Sequence, residues 1–132
     1  MSRTIRLEVA AVPSAFAPIR LVLGGLGARL GLSVDELDDV FLATEALFRA
    51  AISEEKDMTR FRMELCADDG TLRSVAGPFV SATLRQRIAP AAPDVGCLDL
   101  CRVLHATCDD VRVEEAAGAY RVVLVKAPGD RA

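Results

Sequence analysis

Two consecutive segments with helical periodicity constrain the fold of this chain most. In residues 33–54 apolar residues recur every three or four positions, and Ser33 with Glu36 forms the Ser-x-x-Glu pattern that caps a helix start. Residues 16–30 carry a second stripe of the same kind, and Gly31 stands where such a helix commonly ends. The sequence therefore predicts two amphipathic helices in succession, each with one face available to a core.

Three glycines in the first of these segments allow two interpretations. Gly24, Gly25 and Gly27 have the density of a phosphate-binding loop, but they lie within the apolar stripe and follow no strand-to-turn pattern. Close packing of the first helix against a neighbour is the interpretation that the stripe favours.

Strand patterns flank the helices. Residues 5–9 alternate apolar and charged side chains, residues 59–77 read as a hairpin that turns at the Asp-Asp-Gly of 68–70, and the chain closes with a hairpin that turns near Gly118. Between the hairpins, residues 78–96 predict a short helical piece and a loop, and a third helix covers roughly Leu98–Cys108. This order predicts one α+β domain over residues 1–132. Its expected architecture is a two-layer α/β sandwich with a mainly antiparallel sheet and the helices on one face.

Composition narrows the functional classes. The formal net charge is −3, and the chain has no Trp and a single Tyr, so neither nucleic-acid nor membrane binding is expected. The first ten residues lack the apolar core of a signal peptide, and arginines interrupt the most apolar stretch, Ile19–Leu32. We therefore expect a cytoplasmic protein whose four cysteines are thiols.

The order of elements resembles that of the anti-sigma-factor serine/threonine kinases of the histidine-kinase-like (GHKL) ATPase superfamily. The resemblance is strongest over residues 12–54, and it returns at the sequence CDDVRV of residues 108–113, where the family has an acidic pair before a strand. It implies the fold of that superfamily and an ATP site beside the helical layer.

The resemblance assigns roles to two residues of the second helix. Glu45 falls on the family's catalytic glutamate, and Arg49 occupies the position of an asparagine that holds Mg²⁺. A guanidinium cannot ligate Mg²⁺, which takes oxygen ligands at about 2.1 Å. Two interpretations of the pair remain open. Either Glu45 is a general base and Arg49 a replacement cation that holds phosphate without metal, or the two residues form an ordinary ion pair one helical turn apart.

Two further nucleotide motifs are altered. In RSVAGPFVS (residues 73–81) Gly77 is present, but the family's adenine-reading aspartate is not, and in DVGCLDLC (residues 94–101) only Gly96 remains of a glycine-rich box. Gly77 and Gly96 are thus candidate nucleotide-binding residues of a degraded site. We expect no cofactor, or ATP and Mg²⁺ if the chain is an active kinase.

A Cys/His series near the third helix invites a zinc interpretation. Cys97, Cys101, His105 and Cys108 follow the spacing C-x₃-C-x₃-H-x₂-C. On one helix, Cys97 and Cys108 would lie about 16 Å apart at 1.5 Å per residue, whereas zinc needs its ligands within about 2.3 Å. The spacing therefore favours buried thiols, with no metal site, although it leaves the role of the series open.

Three functions remain in view. The first is a regulatory protein-binding domain with a degraded or lost ATP site, which acts in transcription-related partner switching with a sigma factor or an anti-sigma antagonist. The second is an active serine/threonine kinase of the family, and the third is a non-catalytic pairing subunit. The resemblance places a dimer or partner interface on the first helix, where Arg20 and Arg29 flank Leu21, an apolar residue outside the stripe. A homodimer is therefore possible.

Overall fold

The computed structural model describes residues 3–89 and 100–129. The elements follow in the order β1 (Arg3–Ala10), a 3-10 turn (Pro13–Ala15), α1 (Phe16–Arg29), α2 (Val34–Glu54), β2 (Arg60–Asp68), β3 (Thr71–Phe79), α3 (Ala82–Ile88), α4 (Leu100–Thr107), β4 (Asp110–Ala116) and β5 (Ala119–Lys126). Both predicted hairpins form. The first turns through Asp69 and Gly70, which have positive φ, and the second turns through Ala117 and Gly118 in the same way.

The five strands form one antiparallel sheet in the order β1-β2-β3-β5-β4. Because side chains alternate along a strand, the register divides the sheet into two faces. Apolar side chains of the three central strands fill the inner face: Phe61, Met63, Leu65, Leu72, Ala76, Phe79, Tyr120, Val122 and Leu124. Ile5, Leu7 and Val9 of β1 extend this face, since they pair with Leu65, Met63 and Phe61.

The helices cover the inner face of the sheet and bury their stripes against it. The core side chains that they contribute are Phe16, Ile19, Leu23, Leu26, Val40, Ala43, Leu47, Phe48, Ala50, Ala51, Leu84, Ile88, Leu100 and Leu104. A row of rings crosses the core from α1 to β5. Its members are Phe16, Phe48, Phe61, Phe79 and Tyr120, whose neighbouring centroids lie 4.9–6.1 Å apart. Adjacent rings at this spacing stabilise the core beyond the area they bury.

The predicted start of the second helix is confirmed in detail. The Ser33 hydroxyl accepts the backbone N–H of Glu36 at 3.1 Å, and the Glu36 carboxylate accepts the backbone N–H of Ser33 at 2.7 Å. The apolar stripe of this helix begins, as predicted from its periodicity, with Val34, but Val34 is exposed and Val40 is the first buried residue of α2. Periodicity alone cannot show that the first turn of α2 extends past the edge of the core.

Gly27 and Gly24 serve the packing of α1, whereas Gly25 has no atom within 4 Å of an added Cβ. A Cβ built on Gly27 would lie 2.3 Å from a terminal methyl carbon of Leu37, and one built on Gly24 would lie 3.5 Å from the Phe41 ring. All three glycines lie inside the helix, as the packing interpretation requires. The missing side chains therefore let α1 and α2 approach closely.

Candidate functional site

The Glu45–Arg49 pair lies on the solvent-facing side of α2. Arg49 donates from Nε and from Nη2 to the same Glu45 oxygen, Oε2, both at 3.1 Å. The guanidinium is exposed and the carboxylate about one-third exposed. This is the favourable i,i+4 order, with the glutamate nearer the helix start, and such a pair contributes about 0.3–0.5 kcal/mol. Glu45, the candidate base, is therefore hydrogen-bonded to Arg49, which occupies the position expected for a metal ligand.

A shallow depression of about 320 Å³ lies beside this pair, between α2, α3 and α4. Its floor is apolar, and its polar lining consists of Arg49, Ser53 and Arg87. Arg87 in turn lies 3.9 Å from Glu54. Each arginine at this depression thus has a carboxylate within ion-pair distance, so the local charge is balanced.

Gly77 lies on the other side of the molecule. Its φ is +128°, in a region that favours glycine, and the β3–β5 register shifts between Ala76 and Phe79. A Cβ on Gly77 would lie 3.0 Å from the Tyr120 carbonyl oxygen. Gly77 lines a cleft on the outer face of the sheet, and that cleft shares no lining residue with the depression beside Arg49. The structure therefore places Gly77 apart from Arg49 and Glu45.

Two of the predicted site residues cannot be placed. Gly96, the remaining glycine of the altered glycine-rich box, lies outside the described residues, and so does Cys97 of the Cys/His series. No group of three or more His, Cys, Asp and Glu side chains within residues 3–89 and 100–129 is arranged to hold a metal ion.

The remaining members of the Cys/His series point in different directions. Cys101 is buried on the core side of α4, whereas His105 is exposed. Cys108 is half-buried, and this burial raises the pKa of its thiol from 9.0 to about 11. At neutral pH Cys108 therefore carries its proton, and the thiol behaves as a small apolar group.

The predicted interface residues of α1 differ in their surroundings. Leu21 is 78% exposed, which makes it the most exposed large apolar side chain in the described part of the chain. Arg20 lies over the Phe41 ring, with its guanidinium carbon 4.3 Å from the ring centroid, and Arg29 is exposed in the last turn. Leu21 therefore stands free of the core between one arginine that is stacked and one that is solvated.

One polar group at the end of α2 was not singled out by the sequence. Glu55 is 8% exposed, and its carboxylate accepts backbone N–H groups of Val80 at 3.0 and 3.1 Å and of Ser81 at 2.5 Å. The Tyr120 hydroxyl donates to the Ser81 carbonyl oxygen at 2.6 Å. Burial and the charge of Glu55 raise the Tyr120 pKa from 10.0 to about 12. These bonds position the start of α3, and they join residues 25 to 39 positions apart in sequence.

No helix within the described residues is long and apolar enough to span a membrane.

No protein-family model matches the sequence, and no curated protein matches it significantly. Among solved structures, the chain is similar to the crystal structure of the RsbU and RsbW domains of Rv1364c from Mycobacterium tuberculosis, with a TM-score of 0.59 at 14% identity. The match covers 95% of this chain and 32% of that one, so this chain spans about a third of its length.

At this identity the likeness shows a shared fold. The predicted fold class is confirmed: the chain is an α+β two-layer sandwich with a five-stranded antiparallel sheet, and it shares its fold with that structure.

Proposed function

We propose that this chain is a regulatory protein-binding domain of the anti-sigma-factor kind, in which the Mg²⁺–ATP site is degraded. In this proposal it acts in transcription-related partner switching, and its partner is a sigma factor or an anti-sigma antagonist. The observation that carries the proposal is the bond between Arg49 and Glu45 at the positions where the resemblance expects a metal-holding amide and a catalytic base.

The physical argument concerns charge. A magnesium ion at this position would meet a guanidinium, which offers no lone pair to the metal and repels it. Oε2 of Glu45 already accepts two hydrogen bonds from Arg49, which compete with a substrate hydroxyl for that oxygen. The neighbouring depression also lacks the surplus positive charge that would replace the metal, because Arg87 has Glu54 beside it.

The fold supports the regulatory part of the proposal. The similar structure contains a domain called RsbW, and the match extends along nearly the whole of this chain. A domain that keeps this architecture without a metal-binding amide retains its surfaces for partners. The proposed contact surface is the α1 surface formed by Arg20, Leu21 and Arg29, with an apolar centre and a charged rim.

Calorimetric titration with ATP, with and without Mg²⁺, tests the loss of the site. We expect no binding in the micromolar range under either condition. Arg49→Asn is expected to restore neither binding nor kinase activity, since the aspartate and glycines of the other two motifs are missing as well. Micromolar binding that requires Mg²⁺ would instead favour an active kinase.

Sedimentation measurements test the surface. If α1 mediates self-association or partner binding, Leu21→Asp should weaken it while the thermal melting curve stays unchanged. Val34→Asp is a matched control, because Val34 is 75% exposed but lies in the first turn of α2. An identical monomer for both variants and wild type, together with no binding to purified sigma factors or antagonists, would contradict the α1 surface.

The proposal includes no bound metal. Elemental analysis of the purified protein should find less than stoichiometric zinc, because Cys101 is buried and His105 exposed on the same helix. One zinc per chain would contradict this part.

A further inference from the structure

The outer face of the sheet is rich in arginine. By the strand register, the outward positions of β1, β2, β3 and β5 include five arginines, Arg6, Arg60, Arg62, Arg73 and Arg121. The outward carboxylates of the same strands are Glu8 and Glu64, with Asp68 at the end of the hairpin. The surplus of positive charge is therefore confined to these four strands, because β4 adds Arg112 against two outward carboxylates, Asp110 and Glu114.

The ion pairs on this face leave part of that surplus unmatched. Arg60 and Arg62 share one carboxylate, that of Glu8, at 3.5 and 3.4 Å, and Arg6 lies 3.7 Å from Glu64. Within the described residues, neither Arg73 nor Arg121 has a carboxylate within 4.0 Å. The cross-strand neighbour of Arg121 on β4 is Glu114, but the two side chains form no ion pair.

A cleft of about 410 Å³ opens among these arginines. Arg6, Arg62 and Arg121 line it together with Glu8 and Glu64. Its remaining lining is apolar or backbone: Leu7, Met63, Val75, Gly77 and Pro78. This volume is within the range of about 300–1,000 Å³ that accommodates ligand groups.

Gly77 lines the cleft where β3 and β5 lie close together. A side chain there would meet the backbone of β5, because a Cβ would lie 3.3 Å from the Arg121 Cα. The absence of a side chain therefore permits the close approach of the two strands beside Arg121.

We propose that this cleft binds an acidic segment of a protein partner, whose carboxylates pair with Arg62 and Arg121 while apolar side chains lie on Val75 and Pro78. The proposal rests on the proposed function as a protein-binding domain and adds the chemistry of the partner and a second surface. Exposed arginines bind carboxylates with two parallel hydrogen bonds, so the site selects for carboxylate geometry as well as for charge.

An acidic peptide fits this cleft better than a nucleic acid does. Glu8 and Glu64 lie among the arginines and would repel a continuous phosphate backbone. A peptide can instead place one carboxylate beside Arg121 and another beside Arg62, which shares Glu8 with Arg60. The cleft also contains no aromatic side chain on which a base could stack.

Fluorescence anisotropy at low salt tests the proposal with a labelled ten-residue peptide of alternating glutamate and valine. We expect saturable binding that weakens at least tenfold between 50 and 300 mM NaCl, and no binding of the matching lysine–valine peptide. Arg121→Glu should weaken the acidic peptide at least tenfold. The control is Arg112→Glu, an outward position on β4 beside Asp110 and outside the cleft, which should change binding less than threefold.

Several results would overturn the assignment. One is the absence of acidic-peptide binding to the wild type. Another is that Arg121→Glu binds the acidic peptide as tightly as the wild type does, although the two proteins have the same melting curve. The third is that a single-stranded oligonucleotide binds more tightly than the peptide. None of these outcomes bears on ATP binding or on Leu21, so a failure here is distinguishable from a failure of the proposed function.

Discussion

Two glutamates ten residues apart show how differently the middle and the end of α2 use the same side chain. Glu45 lies on the open side of the helix and binds one partner, Arg49, one turn away. Glu55 follows the last helical residue, is buried, and accepts backbone N–H groups from the start of α3. The resemblance draws attention to Glu45, whereas burial and hydrogen bonding draw attention to Glu55.

The position that a resemblance gives to a charged residue and the importance of that residue for stability are therefore separate questions. An exposed ion pair exchanges solvent contacts for a weak attraction, so its loss costs little. A buried carboxylate is no longer hydrated, and removal of the carboxylate leaves backbone N–H donors without an acceptor. Four substitutions, taken in order of decreasing effect, test this contrast.

Glu55→Ala should be the most destabilising. It removes an ionised acceptor from the backbone N–H groups of Val80 and Ser81, and hydrogen bonds to charged groups contribute about 1.5–3 kcal/mol. We expect urea denaturation to show a loss of about 2–3 kcal/mol in the free energy of unfolding. Glu54→Ala, one residue earlier, is the matched control and should cost less than about 1 kcal/mol, since Glu54 has only a 3.9 Å contact with Arg87. Equal losses of unfolding free energy in Glu55→Ala and Glu54→Ala would contradict the proposed contrast between a buried and an exposed glutamate.

Gly77→Ala should rank second, with a loss of about 2 kcal/mol. The new Cβ would combine a φ of +128° with a 3.0 Å approach to the Tyr120 carbonyl oxygen, which is backbone and cannot rotate away. Thermal unfolding of Gly25→Ala provides the control. Gly25 lies inside α1 with no atom within 4 Å of the new methyl group, so this variant should gain up to about 1 kcal/mol.

Tyr120→Phe should have an intermediate effect and change the pH dependence. It removes the hydroxyl bond to Ser81, at a cost of about 1 kcal/mol. In the wild type the folded pKa of Tyr120 is raised from 10.0 to about 12, so folding favours the neutral phenol. The resulting contribution to the free energy of unfolding is fully present below pH 10, and it is lost as the pH rises from 10 to 12.

Urea denaturation at several alkaline pH values measures this loss. The wild type should lose more stability than Tyr120→Phe between pH 10 and 12, because the phenylalanine variant has no phenol to ionise. The raised pKa of the Cys108 thiol affects both proteins alike and cancels in the difference. Parallel curves for the two proteins would contradict the assignment to Tyr120.

Glu45→Gln should have the smallest effect. It removes an exposed i,i+4 ion pair, so the expected loss in the free energy of unfolding is about 0.3–0.5 kcal/mol. Self-association measured by sedimentation should not change. A loss above about 1.5 kcal/mol would show that the pair contributes more than its exposure implies.

Much of the fold could be predicted because its signals are local. The capping box of Ser33 and Glu36, the turn at Gly70 and the turn at Gly118 each act within a few residues. Strand alternation divides the hairpin residues correctly between two faces, since the side-chain period of a strand is two. The Glu45–Arg49 contact was also within reach, because residues four apart on a helix are neighbours whatever surrounds them.

The remaining features depend on contacts between distant parts of the chain. Glu55 reaches residues 25 and 26 positions away, and its hydrophilic sequence context carries no sign of burial. The position of Gly77 on the sheet face opposite the helices depends on the register shift between β3 and β5, which local sequence patterns do not show. The arginine cleft likewise arises only when β1, β2, β3 and β5 lie side by side.

The order of the helices, strands and turns thus follows from the sequence, as does the burial of one face of each long helix. Only the tertiary structure decided which charged residues are buried, which glycine needs its positive φ, and which arginines share a carboxylate. The physical reason is range: capping, turn formation and helical periodicity act over about four residues. Burial and ion pairing across a sheet depend on which strands become neighbours, and that choice involves the whole chain.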